Sequence, residues 1–269
     1  MNKAGTITSA ANPLLKDVRR AIARGGLTEQ GWCVAETFHL LDEALRSPSE
    51  VHAVLASESA RTLAEARLER KPGIDLLVLP DALFQRLAAT ETSQGVIALV
   101  KPPLWNMAQL FGGGRALVVV LDSLQDPGNA GTIIRTCEAF GATGALFLKG
   151  TASPYNPKTL RAAAGSLFRV PFLHGVEASL ALSALRENHL DLYAAVPPRP
   201  GAAVPALSEI DLRKPCALAI GSEAHGVGVV LREVAREVSI PTSGVESLNA
   251  AVAAGILLYE AQRQRTLRK

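Results

Sequence analysis

The sequence predicts an α/β protein: a small α/β module in front, then a larger, mostly parallel sheet with flanking helices. Three observations predict it. From residue 115 onward, short apolar runs alternate with segments of helical periodicity, the pattern of repeated β-α-β units. The leading run, 116–121, is apolar without interruption, as a strand covered on both faces must be. Apolar residues make up 48% of the 269 and charged residues 20%, enough to build a sizeable core.

The front segment, 1–100, opens on the turn signal Asn12-Pro13, which suits a helix start. In the helix that follows, Leu14, Leu15, Val18 and Ile22 share one face, while Lys16, Arg19, Arg20 and Arg24 share another. A solvated face and a phosphate-binding face both fit that basic spacing. Further helices are expected over 37–45 and 60–70, and strands over 51–56, 76–79 and 96–100. Residues 101–114, with Pro102-Pro103 and Gly112-Gly113-Gly114, read as a linker. The segment 115–269 then predicts strands at 116–121, 145–148, 169–173, 190–196, 217–220 and 238–240. Its helices are expected at 129–140, 158–166, 178–188, 229–234 and 248–265, with a proline-rich connection over 197–205.

Composition narrows the function. Aromatics are 4% of the chain, which argues against an aromatic base-stacking sheet. The net charge of +3 is a mild pointer to nucleic acid, and Lys3, Lys16, Arg19, Arg20 and Arg24 crowd the first residues. Cys33, Cys137 and Cys216 form no C-x-x-C pair, so neither a zinc site nor a disulfide framework is expected, and the odd count suits a reducing compartment. With no signal-type or membrane-length apolar run, a soluble, cytoplasmic protein is expected, with no membrane partner.

In an open α/β sheet ligands bind at the carboxyl ends of the strands. Three loops there carry polar chemistry: Asp126-Pro-Gly-Asn129-Ala-Gly131, Gly221-Ser-Glu223-Ala-His225-Gly226, and Ile240 through Ser247-Leu248-Asn249. The phosphate-loop pattern is absent, and the G-x-G at Gly226 and Gly228 lacks its third glycine, so a dinucleotide fold is disfavoured. G-x-S-x-G and the H-E-x-x-H and C-x-x-C metal patterns are missing too, so no metal is expected. Asn129 could cap the helix after it, and Ser247 or Asn249 the last helix. Arg135 stands in a small, apolar stretch, where a charge needs a partner or a ligand. His225 reads as an exposed loop histidine and Cys137 as a small core residue.

These loops resemble the motifs of the SpoU (TrmH-like) branch of the SPOUT RNA methyltransferases. Asn129-Ala-Gly131 with Arg135-Thr136 matches the first, 219–226 resembles the second and 240–253 the third, in family order and spacing. More loosely, Asn12 to Lys16, Ala35-Glu36 and Thr92-Ser-Gln-Gly95 resemble the family's substrate-binding domain, which is similar to certain RNA-binding ribosomal proteins. The resemblance implies domains at 1–100 and 115–269, a trefoil knot in the second, a homodimer, and S-adenosylmethionine as cofactor. It implies a cofactor pocket at Gly221, Ile240 and Leu248, and a polar site of Arg135, Asn129, Glu223, Ser247 and Asn249. The implied reaction is methylation of a ribose 2′-hydroxyl of RNA, 23S rRNA ahead of tRNA. A non-catalytic RNA-binding or assembly factor of the same fold is the alternative. A guanidinium is a poor base, so Arg135 is expected to stabilise a developing alkoxide and grip phosphate. The sequence departs from the pattern at Ala224, Gly228 and Thr242, in a third loop about one residue short, and at Thr37, where glycine usually follows Glu36.

Overall fold

A computed structural model describes residues 4–112, 114–198 and 204–266. Lys3, Gly113 and positions 199–203 of the proline-rich connection lie outside the described residues. The chain forms two compact units: Met1–Leu104 with Tyr155–Arg169, and Trp105–Pro154 with Val170–Lys269. The units are therefore not contiguous in sequence. Inside the stretch read as a linker, an Asn106–Gln109 capping box starts a short helix whose Leu110 and Phe111 are buried in the second unit.

The first unit contains β1 (Ala4–Thr6), α1 (Pro13–Arg24), β2 (Cys33–Glu36), α2 (Phe38–Arg46), β3 (Glu50–Ser57), α3 (Arg61–Leu68), β4 (Asp75–Leu79), α4 (Asp81–Gln85) and β5 (Val96–Lys101). Its sheet runs β1-β4-β3-β5-β2, parallel across β1, β4 and β3 and antiparallel at β5. α1 starts where the sequence places it: the Asn12 side chain accepts from the Leu14 N–H at 2.9 Å, and Gly25 ends it in the left-handed region. Leu15 and Val18 join the core, leaving Lys16, Arg19, Arg20 and Arg24 exposed.

The front motif residues have structural work. Glu36 is buried; its carboxylate accepts from the Ala89 N–H (2.9 Å) and the Thr90 hydroxyl (2.7 Å), with the Arg161 guanidinium 3.7 Å away. Gly95 has φ 76°, and a side chain there would strike Ser57. Thr37 sits at φ 131°, a region that favours the glycine this position lacks, while its hydroxyl caps α2 through the Leu40 N–H at 3.1 Å.

The second unit continues with α5 (Met107–Phe111), β6 (Leu117–Asp122), α6 (Pro127–Ala139) and β7 (Gly144–Leu148); α7 (Pro157–Ala163) belongs to the first unit by its packing. Then follow β8 (Phe172–Val176), α8 (Ala178–Glu187), β9 (Asp191–Val196), β10 (Cys216–Gly221), α9 (Val229–Arg232), β11 (Arg236–Ser239) and α10 (Ala250–Thr266). The sheet order is β11-β9-β10-β6-β7-β8, and every pairing is parallel. The chain leaves β6 towards β7 and β8, then returns on the far side through β9 and β10. That makes the β6/β10 junction a topological switch point, with the strand carboxyl ends along one edge. The strand expected at 169–173 forms three residues later, since 166–168 make a 3-10 turn.

Replacing Thr37 with glycine exchanges a strained φ for a relaxed one and loses a cap that glycine nearly matches. Thr37→Gly is expected to raise unfolding stability by about 1 kcal/mol in a denaturant titration; a lowered midpoint would show that the cap outweighs the strain.

Candidate active site at the carboxyl ends of the parallel strands

Pro127 opens α6 at its first turn, where a missing N–H costs nothing. Asp126 is the N-cap, accepting from the Gly128 N–H at 3.1 Å. This corrects the expected capping role of Asn129: the helix begins two residues before that position, so the Asn129 amide is released from the backbone. The other expected cap holds for Asn249. Its side-chain oxygen accepts from the N–H groups of Ala251 (2.9 Å) and Val252 (3.2 Å) and starts α10.

That cap sets the direction of a polar chain. With its oxygen committed to the helix, Asn249 turns its NH2 outward and donates to Asn129 Oδ1 at 3.1 Å. Asn129 then has only its own NH2 to offer, and donates to Glu223 Oε1. One relay, Asn249 to Asn129 to Glu223, thus ties together loops that lie 94 and 120 residues apart along the chain. Among the described residues the second carboxylate oxygen of Glu223 has no hydrogen-bond partner.

Beside the relay lies a cavity of about 540 Å³, within the range of small-molecule sites. Gly221, Ile240 and Leu248 line it, as the motif resemblance implies, together with Glu223, Ser247 and Asn249. Gly221 admits no side chain, because a Cβ would collide with the backbone of Gly226 and Val227, where the loop folds back on itself. Two departures from the family pattern have local reasons. The Gly228 N–H donates to Asp122 at 2.7 Å, and a Cβ there would meet the same carboxylate at 2.9 Å. The Thr242 hydroxyl donates to the Val245 carbonyl at 3.0 Å, closing the shortened third loop.

Arg135 is not among the lining residues. It lies six positions beyond Asn129 on α6, roughly 9 Å along the helix axis. It is exposed and makes no ion pair among the described residues. The sequence expectation of a charge enclosed in an apolar stretch is corrected: Ile133, Ile134 and Cys137 turn inward, and Arg135 faces out. Burial pushes the Cys137 thiol up to about 12, as befits a core residue. His225 is exposed on the rim.

The sequence reading missed a fourth strand end. Val196, Pro197 and Pro198 after β9 also line the cavity, as does Arg232, whose guanidinium is held by Glu237 at 3.0 Å. The switch-point rule includes the loop after β9; it lay hidden because prolines, unlike Asn or Glu, carry no chemical signal. Among the described residues no group of three or more His, Cys, Asp or Glu is placed to hold a metal, and no helix is long and apolar enough to cross a membrane.

A parallel sheet with a small-molecule cavity at the carboxyl ends of β9, β10 and β11, edged by polar loops, defines a ligand-binding α/β protein. Comparison narrows it. Residues 116–259 match the model of the SpoU rRNA Methylase family, and 37–105 match that of RNA 2′-O ribose methyltransferase substrate binding. An uncharacterised tRNA/rRNA methyltransferase of Synechocystis is 35% identical, covering 97% of this chain and 94% of its own. The 23S rRNA (guanosine(2553)-2′-O)-methyltransferase RlmP of Bacillus subtilis is 33% identical, covering 94% and 97%. Among solved structures, the AdoMet-bound rRNA methyltransferase of Sinorhizobium meliloti superposes with a TM-score of 0.82 at 27% identity, covering 97% and 98%. The chain belongs to the SpoU rRNA methylase family.

Because a methyl at position 221 must displace backbone, Gly221→Ala is expected to cost about 2 kcal/mol of stability and to weaken ligand binding at the cavity at least tenfold. Denaturant unfolding and calorimetry would read both; unchanged values would mean that the loop is not held as described.

Proposed function

We propose that this protein transfers a methyl group from S-adenosylmethionine to a ribose 2′-hydroxyl of RNA. The observation that carries the reading is the Asn249–Asn129–Glu223 relay standing beside a cavity walled by Gly221, Ile240 and Leu248. The cavity's chemistry fits the cofactor. Ile240 and Leu248 offer apolar cover to an adenine, Gly221 lets backbone approach closely, and Glu223 and Glu246 bring negative charge suited to a cationic ligand. Bound there, S-adenosylmethionine supplies an activated methyl on a sulfonium.

The protein's own groups must align the acceptor, exclude water and stabilise the oxygen as it loses its proton. Alignment can contribute roughly 7–11 kcal/mol. Glu223, through its second oxygen, would take a hydrogen bond from a ribose hydroxyl. Arg135, exposed and without an ion pair among the described residues, supplies a fixed fork of donors for an oxyanion or an adjacent phosphate. Ser247, exposed on the rim, adds a donor.

A homodimer accompanies this reading. Val252, Ile256 and Tyr259 form an exposed apolar stripe along α10, and Tyr259 packs edge-on against Phe140 from the end of α6. A second copy seated on this face would pack against α10 and the end of α6, the helix that carries Arg135. The proposal includes a knotted second unit. Its support is the route of the chain: after the edge strand β11, α10 packs on α6 and β10, and Arg265 reaches the carbonyls of Arg115 and Ala116 ahead of β6.

The first unit is assigned to RNA recognition, with Lys16, Arg19, Arg20 and Arg24 as phosphate contacts. Lys16, Arg19 and Arg20 line one surface depression, although Arg20 is shared with Glu29 at 2.8 Å. The relatives named as 23S rRNA enzymes favour 23S rRNA over tRNA. The intact relay speaks against a non-catalytic assembly factor.

Mapping 2′-O-methyl groups on cellular 23S rRNA and tRNA with and without the gene tests the function and the substrate together; loss of one ribose methyl in 23S rRNA is expected, and identical maps would refute it. Arg135→Ala is expected to lower kcat by at least a hundredfold while S-adenosylmethionine affinity by calorimetry stays within a factor of two. An active variant would remove Arg135 from the mechanism. Asn249→Asp keeps the helix cap but replaces the donor to Asn129 by an acceptor. It should leave the melting temperature nearly unchanged and reduce kcat/KM at least tenfold, since an acceptor then faces the Asn129 oxygen and the donor order of the relay is broken; full activity would show that the relay is only structural.

A further inference from the structure

We infer that Trp32 and His52 of the first unit form a stacking platform for an unpaired nucleobase of the RNA substrate. The inference rests on the RNA reading above and names the part of the RNA that this unit takes. Aromatic residues are scarce in this chain, with Trp at two positions. One of them is spent on a surface stack: the Trp32 and His52 rings lie 4.0 Å apart at 17°.

The backbone is arranged to make this stack. In β3, Val51 pairs with Val100 and Ala53 with Leu99, so His52 is the extra residue of a β-bulge, a device that re-aims a side chain. Trp32 is held by a closed turn, in which its N–H donates to the Thr28 hydroxyl at 3.0 Å and its carbonyl accepts from the Thr28 N–H at 2.9 Å. The inner side of Trp32 packs on the core of this unit. His52 is exposed and outermost. Trp32 is thus half-buried against the core, and His52, stacked on it, is exposed. A planar group arriving from solvent extends an existing stack at little conformational cost, as neither ring must be ordered on binding.

Charged groups of both signs flank the platform. Lys101 is the register partner of Glu50, two residues from His52, and is exposed. The loop carrying Trp32 is anchored to α1. The Glu29 N–H donates to both oxygens of Asp17, at 3.1 and 3.0 Å, and Arg20 pairs with the Glu29 carboxylate at 2.8 Å. One short loop therefore joins the basic face of α1, suited to phosphates, to a ring pair suited to a base. That combination is how single-stranded nucleic acid is gripped, and a duplex, whose bases are already stacked, offers the platform nothing.

The test uses the full-length protein, short oligoadenylate and a perfectly paired RNA duplex. His52→Ala is expected to weaken oligoadenylate binding about tenfold and duplex binding by less than twofold. The slope of log affinity against log salt should not change, since no phosphate contact is lost. His52→Tyr, which keeps a ring, should restore wild-type affinity. Thermal unfolding of His52→Ala should match wild type, because the residue is exposed. Equal oligoadenylate affinities for wild type and His52→Ala would overturn the inference, as would failure of the tyrosine to restore binding. If wild type methylates RNA and His52→Ala binds normally, only the platform falls; if wild type neither binds nor methylates RNA, the RNA reading falls with it.

Discussion

A single oxygen determines the polarity of the candidate site. Asn249 commits its side-chain carbonyl to the first N–H groups of α10, and from that commitment the orientation of two further groups follows: the Asn249 NH2 can only donate, so Asn129 must accept there and donate onward, and Glu223 must accept. Amide groups are otherwise free to flip. Here helix capping removes that freedom and carries it across three loops. The relay fixes which oxygen of Glu223 is occupied and which is left for a ligand. It also explains why the chain uses amides at two of the positions: a carboxylate at either would break the alternation of donor and acceptor.

The parallel sheet makes this possible. Because all pairings in the second unit are parallel, loops after β6, β9, β10 and β11 leave along the same edge, and segments far apart in sequence converge there. Small residues then let the loops close on one another. Gly221 sits against the backbone of Gly226 and Val227, and Gly228 against Asp122. The cavity is thus formed by backbone proximity, with a few polar side chains at its rim, a design suited to a ligand carrying both an apolar ring and charged groups.

Much of this was legible in the sequence. The uninterrupted apolar run of β6, the Asn12-Pro13 start of α1 and the three polar loops all appear where composition and periodicity place them, because each follows from a local rule of burial or capping. What was not legible depended on tertiary context. Residues 155–169 pack with the first unit, which no local signal announces. Short elements such as β2 and α5 are too brief for periodicity to register, and depend on Glu36 and on a capping box that acts through three residues. Arg135 lies in an apolar stretch of sequence yet outside the core, since α6 has two faces and the sequence window mixes them. The Trp32–His52 stack was invisible for a similar reason: a low aromatic content counts residues, whereas a platform needs only two rings brought together by a bulge.

The central chemical claim is that the group methylated is a ribose oxygen. Alkali tests it directly, because cleavage of RNA requires a free 2′-hydroxyl at each step. Ribosomal RNA incubated with the protein and methyl-labelled S-adenosylmethionine, then hydrolysed in alkali, should release the label in alkali-resistant dinucleotides. Label recovered in mononucleotides would place the methyl on a base and contradict the account.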